Sequence, residues 1–213
     1  MKNSEFKAIE KRLVAYLPGF SVKGQLMCLV PLGSVLRGFC FEPSGSAKDA
    51  FYLWIFFQPL FVPAKEINLT FGYRLEDSRR WRNNEPDLES TLLRSMKAEV
   101  VKLLKLHNAA TVARALEAFT KPNSNGYVNP NCREAFAYAL AQAGEVEKAI
   151  QVLETLTNSI DTTIDWQSEI ALRVSRIREL FLSRPEDAID QLKSWEYETV
   201  QNLGLERFLQ EQE

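Results

Sequence analysis

Residues 51–62, FYLWIFFQPLFV, limit the folds open to this chain more than any other stretch. A strand points successive side chains to opposite faces. Phe51, Leu53, Ile55 and Phe57 then fall on one face, and Tyr52, Trp54 and Phe56 on the other. Both faces are apolar, which predicts a central strand covered on both sides, with Trp54 as a core residue. Pro59 interrupts the run, and the run is too short to cross a bilayer as a helix.

The neighbouring segments supply what such a strand needs. Ser4 can cap a helix reaching about residue 17. Its apolar stripe is Phe6, Ile9, Leu13 and Leu17, with Lys7, Glu10 and Lys11 opposite. Pro18 and Gly19 end it. Residues 25–31 and 35–42 read as strands joined by a two-residue loop at Gly33 and Ser34. That loop pairs residues whose numbers sum to 67, so Cys28 faces Phe39 and Cys40 points to the opposite face. Residues 67–73 alternate apolar and polar, the mark of a half-buried strand. Short connections predict an α+β start: a helix with a four-stranded antiparallel meander sheet over residues 1–75. Residues 76–87, EDSRRWRNNEPD, read as a polar linker, and 88–213 as an all-α region of helical hairpins.

Charge supports a division near 76. Residues 1–75 carry 9 Lys/Arg against 5 Asp/Glu, whereas 76–213 carry 17 against 23. The net charge of −2 gives no general attraction to nucleic acid or an anionic membrane. Three cysteines do not make a disulfide scaffold, and no basic start followed by an apolar run and a cleavage site opens the chain. A cytoplasmic protein without a membrane segment is expected.

In the second half a helix over 88–107 carries Leu93, Met96, Val100, Leu103 and His107 at steps of three and four. Asn108 can end it in the left-handed conformation. A helix over 111–119 and a turn-rich loop over 120–131 follow. Asn129 then suits an N-cap, with Pro130 in the first helical position. The segment CREAFAYALAQAGEVEKAIQVLETL reads as two antiparallel helices closed by Gly144. Ala135, Ala139 and Ala143 form its small side, and Phe136 and Leu140 its larger knobs. Residues 147–153 align with 186–192 at an offset of 39, matching Ala149 with Ala188, Ile150 with Ile189 and Leu153 with Leu192. A stripe of Trp166, Ile170, Val174, Ile177 and Phe181 precedes the second copy, and Ser183 with Glu186 can form a capping box.

The run from Gly144 through Glu147, Lys148, Ala149 and Ile150, together with its second copy, resembles the turn and second helix of tetratricopeptide-type repeats over about 130–195. Arg133 stands where that family carries a bulky aromatic, and Ala137 where it carries a small glycine. The resemblance implies binding of a peptide or another protein in a groove. The first half resembles no named family.

Candidate chemistry is sparse. His107 is the only histidine, so any histidine-dependent triad, zinc site or acid–base step must pass through it. Its place at the end of an apolar stripe favours a core or capping role. Cys28 and Cys40 lie in expected strands. Cys132, in the first turn of an expected helix, has the geometry that favours a thiolate, although a buried small hydrophobe is the commoner role. No phosphate-cradling glycine motif occurs, and Asp161 and Asp165 lack metal-loop spacing. No catalytic residue, metal site or cofactor is expected.

Two surfaces remain. Arg79, Arg80 and Arg82 with Trp81 could grip phosphate and stack a base, but Glu76, Asp77, Glu85 and Asp87 flank them, which disfavours nucleic acid. In the helical half, Arg133, Tyr138, Gln142, Arg173, Arg176 and Arg178 are left over once the apolar stripes are assigned. They would line a groove for a protein or peptide partner, and the arginines suit an acidic one. Salt bridges to nearby acids are the competing role for those arginines. The expected function is a non-enzymatic interaction module; the alternatives are an enzyme with a site in a cleft between the halves, or a phosphate binder at Arg79–Arg82. The sequence leaves oligomeric state open.

Overall fold

A computed structural model of the protein describes residues 3–121 and 129–209, except for the side chains of 3–5 and 77–78. The chain is α+β and divides into two compact units. The first comprises Met1–Gln58, Asn68–Lys105 and Arg207–Glu213; the second comprises Pro59–Ile67 and Leu106–Glu206.

The first unit is a helix-covered sheet. Helix α1 spans Asn3–Val14, and strands β1 Phe20–Lys23, β2 Leu26–Leu29, β3 Val35–Pro43, β4 Ala50–Pro59, β5 Gly72–Arg74 and β6 Trp81–Arg82 follow. The sheet order is β1-β2-β3-β4-β5, with β6 also on β4. It therefore has six strands rather than four, and β4 is central as its sequence requires. Phe6, Ile9 and Leu13 of α1 pack on Phe39, Phe41, Phe51 and Leu53. The Phe6 ring meets Phe51 edge-on at 5.7 Å.

The first turn of the sheet lies elsewhere than expected. Lys23 pairs with Leu26, so Gly24 and Gln25 form the two-residue hairpin loop, with Gly24 at φ +63°. Between β2 and β3 the register is Leu26 with Cys40, Met27 with Phe39 and Cys28 with Gly38. Those numbers sum to 66, not 67. The loop over 30–34 is longer because the Leu32 amide donates to the Phe208 carbonyl at 2.8 Å instead of closing the hairpin. Cys28 and Cys40 consequently share one face, and neither is disulfide-bonded. Glycine is required at 38, where a Cβ would stand 2.0 Å from the Met27 carbonyl oxygen.

The expected strand over 67–73 survives only as Gly72–Arg74. Side chains take over its backbone bonding: Gln58 Oε1 accepts from the Asn68 amide, and Asn68 Oδ1 accepts from the Thr70 amide, each at 2.8 Å. A single helical turn, α2 Leu75–Ser78, leads to β6. Residues 76–87 are thus not a free linker. Trp81 pairs with Phe51 and is fully buried. Helix α3, Leu88–Lys105, belongs with the sheet as well: Leu88, Leu92, Met96 and Leu103 join the same core as α1. The division falls after Lys105, not near 76.

The second unit is helical: α4 Ala109–Phe119, α5 Pro130–Gln142, α6 Val146–Thr157, α7 Asp165–Ser183 and α8 Pro185–Asn202, then a 3-10 turn at Glu206–Phe208. Asn108 is extended, at φ −151°, and caps α4 in a capping box with Thr111 rather than ending α3. His107 is exposed between the two helices, not in a core. Asn129 caps α5 with Pro130 in its first turn, as the sequence predicts. Arg184, not Ser183, stands at the start of α8, and the Ser183 hydroxyl donates back to the Glu179 carbonyl at 2.8 Å. The loop over 120–131 falls largely outside the described residues. Ala149 and Ala188 are fully buried, as are Leu153 and Leu192. Thr199 of α8 ties in the segment Pro59–Ile67, accepting from the Ala64 amide and donating to the Val62 carbonyl, both at 3.3 Å.

Candidate functional site

Helix α5 decides what the helical unit can present. It touches α4, α6, α7 and α8, and ten of its thirteen residues are buried. Alanines at 135, 137, 139 and 141 let neighbours close in on several sides, so the helix has no free polar face. Tyr138, expected at a surface, is fully buried and lies 5.7 Å from the Trp195 ring. Arg133 is buried too, and donates to the Ser159 hydroxyl at 2.6 Å.

The arginines of α7 divide between structure and surface. Arg173 grips Glu134 with two bonds, Nε at 2.6 Å and Nη2 at 2.8 Å, and the Glu134 side chain is fully buried. Burial acts to lower the Arg173 pKa, but bonding and attraction from Glu134 outweigh it and the net shift is upward. The Tyr138 phenol beside this pair is pushed well above 10, by burial first and by the Glu134 charge second. Arg178 pairs with Glu154 at 3.4 Å. Gln142 is half-buried, and Arg176 is exposed. The six residues do not form one groove. Arg133 and Tyr138 are buried in the α5 packing, Gln142, Arg173 and Arg178 are half-buried, and Arg176 alone among them stands in solvent.

Around Arg176 the outward side of α7 carries a different set. Glu169, Leu172, Arg176 and Glu179 recur at steps of three and four and are all exposed, Leu172 at 72%. Trp166 and Leu182 are also exposed near the two ends of the helix. Leu172 and Arg176 thus stand one turn apart on the outward side of α7, both open to solvent. The sequence contained the signal: Leu172 lies off the buried stripe of Ile170, Val174 and Ile177.

The basic group at 79–82 is largely used internally. Arg79 bonds Glu76 at 3.2 Å and Glu85 at 2.7 Å, and its guanidinium lies 4.0 Å above the Trp81 ring. Arg82 bonds Asp49 at 2.8 Å. Trp81 is buried and cannot stack on a base. Arg80 is exposed, with its guanidinium 6.0 Å from the Tyr52 ring centre.

One cluster was not foreseen. On the second face of the sheet, Trp54 Nε1 and Arg74 Nη2 both donate to Glu42 Oε2 at 2.8 Å. The Arg74 guanidinium stacks 3.9 Å from the Tyr52 ring centre. Trp54 is therefore only partly buried, against the expectation of a two-sided core site, because polar side chains from β3 and β5 rather than a packed apolar layer lie over it. Its loss should cost less than that of a core tryptophan. Trp54→Phe removes one hydrogen bond to a charged group, an expected loss of about 1.5–3 kcal/mol in chemical denaturation. A loss above that range would place Trp54 back in the core.

Cys132 is buried, and burial pushes its thiol up to about 11, so the helix start does not activate it. Among the described residues no group of three or more His, Cys, Asp or Glu could hold a metal ion, and no helix is long and apolar enough to cross a membrane. The chain matches no protein-family model, no curated protein and no solved structure.

Proposed function

We propose that the protein is a non-enzymatic protein–protein interaction module, and that the outward face of α7 receives the partner. The observation that carries this is Leu172, the most exposed large apolar side chain of α7, one turn from the exposed Arg176. The paired helices α5–α6 and α7–α8, with equivalent alanines and leucines buried in α6 and α8, support a tetratricopeptide-like reading, and that family binds peptides and proteins. The partner is a peptide offering one apolar side chain and a carboxylate. Three unbonded thiols suit a reducing, cytoplasmic setting.

The test is a photo-crosslinking residue at 172, used in cells that naturally make the protein, with Arg176→Glu as the paired variant. One discrete adduct, reduced at least tenfold by Arg176→Glu with an unchanged melting curve, is the expected result. No adduct, or one indifferent to Arg176→Glu, would remove the α7 face as the site.

A further inference from the structure

Glu10 stands on the wrong side of α1. It was expected among the solvent-facing charges, yet it is fully buried, in line with Phe6 and Leu13 on the inner stripe. Among the described residues neither carboxyl oxygen has a hydrogen-bond partner. An ionised carboxylate in that state is expensive, whereas a protonated one is tolerable.

Its surroundings offer little compensation. On α1 the nearby charge is Lys7, one turn earlier. The sheet brings the Cys28 and Cys40 thiols within its field, and burial above all pushes both up to about 12, so they stay neutral. Arg37 rises from the same face of β3 as Phe39, but among the described residues the charge that shifts Glu10 is that of Lys7. Helix α3 turns Leu88, Leu92, Met96 and Leu103 to this core. Burial therefore dominates, and lifts the Glu10 pKa from 4.5 to about 7 despite the opposing pull of Lys7.

We propose that Glu10 is a proton-dependent latch: α1 lies closed on the sheet while this carboxyl is protonated, and opens from it when the carboxylate forms. The sign follows from linkage. The closed state holds the proton more tightly than an open one, so rising pH favours opening from about 4.5 and the effect levels off above about 7. Opening would bare Phe6, Ile9 and Leu13 and the Phe39, Phe41 and Phe51 rings beneath them.

Hydrogen exchange on the full chain tests it. After correction for intrinsic chemistry, protection of the α1 amides should fall at least tenfold between pH 5.5 and 8 in the native protein. In Glu10→Gln it should not vary with pH. Protection in the native protein that ignores pH, or a fall that persists in Glu10→Gln, would overturn the latch. If Glu10→Gln does not fold, the native protein still decides the matter: the Glu10 side-chain carboxyl carbon, followed by NMR, should titrate near pH 7. A midpoint near that of an exposed glutamate would overturn it.

Discussion

Trp81→Ala should destabilise the protein by about 3–5 kcal/mol, the range for emptying a large aromatic site in a core. Nothing in the polar stretch around Trp81 suggests this. The effect is expected because β6, only two residues long, lays Trp81 opposite Phe51 and inside the core shared by α1 and α3. Among the described residues the indole Nε1 is itself buried without a partner. Trp81→Phe, which keeps most of the apolar volume and deletes that orphaned donor, should therefore recover at least half of the loss. Denaturant midpoints for the two variants give the answer. A Trp81→Ala protein as stable as the parent would mean that residues 76–87 do not dock and that the linker reading was right.

Arg173→Ala should cost a similar amount, about 3–5 kcal/mol, for an electrostatic reason. Glu134 is fully buried and both of its oxygens are bonded by Arg173, so removing the guanidinium strands a carboxylate in the interior. Removing both partners is a different matter. Arg173→Met with Glu134→Leu should lie within about 1 kcal/mol of the parent or above it, because the cost of burying two ions vanishes along with their attraction. A double-mutant cycle measured by chemical denaturation separates the cases. Equal losses for the single and the double variants would show that the pair contributes only packing. The same reasoning keeps Arg173 out of any test of partner binding, since its loss would unsettle α5 and α7 together. Arg176 is the arginine that can be changed without that penalty.

Much of the fold was readable where the apolar pattern was strong and local. The central β4, the helix over it, and the Asn129–Pro130 start of α5 all follow from a few adjacent residues. What escaped depends on contacts distant in sequence. Glu134 and Arg173 lie 39 positions apart, and no periodicity links them. Trp81 sits between two arginines, and a strand of two residues has no alternation to read. Trp54 looked like core because its own strand is apolar; the side chains that half-cover it, Glu42 and Arg74, belong to other strands. Two further positions are legible from spacing alone. Glu10 is four positions from Phe6 and three from Leu13, which places it on the inner stripe. The alternating alanines of α5 let neighbours close in around Tyr138 and leave it no surface role.

Two backbone groups of the sheet region, in β1 and in the loop between β2 and β3, are bonded by residues near 208. Leu32 donates to the Phe208 carbonyl at 2.8 Å, and the Val22 carbonyl accepts from Arg207 at 2.9 Å. A ribosome releases roughly 5–20 residues per second, so Arg207 follows Leu32 out by about 10–35 s. Strands β3 to β6 emerge within that interval, and until Arg207 and Phe208 follow, the Leu32 amide and the Val22 carbonyl have only water to bond in their place. The helical unit, by contrast, has its whole complement of residues once Glu206 has emerged, and most of its contacts join helices close in sequence. The order of completion thus inverts the order of synthesis: the sheet is made first and finished last.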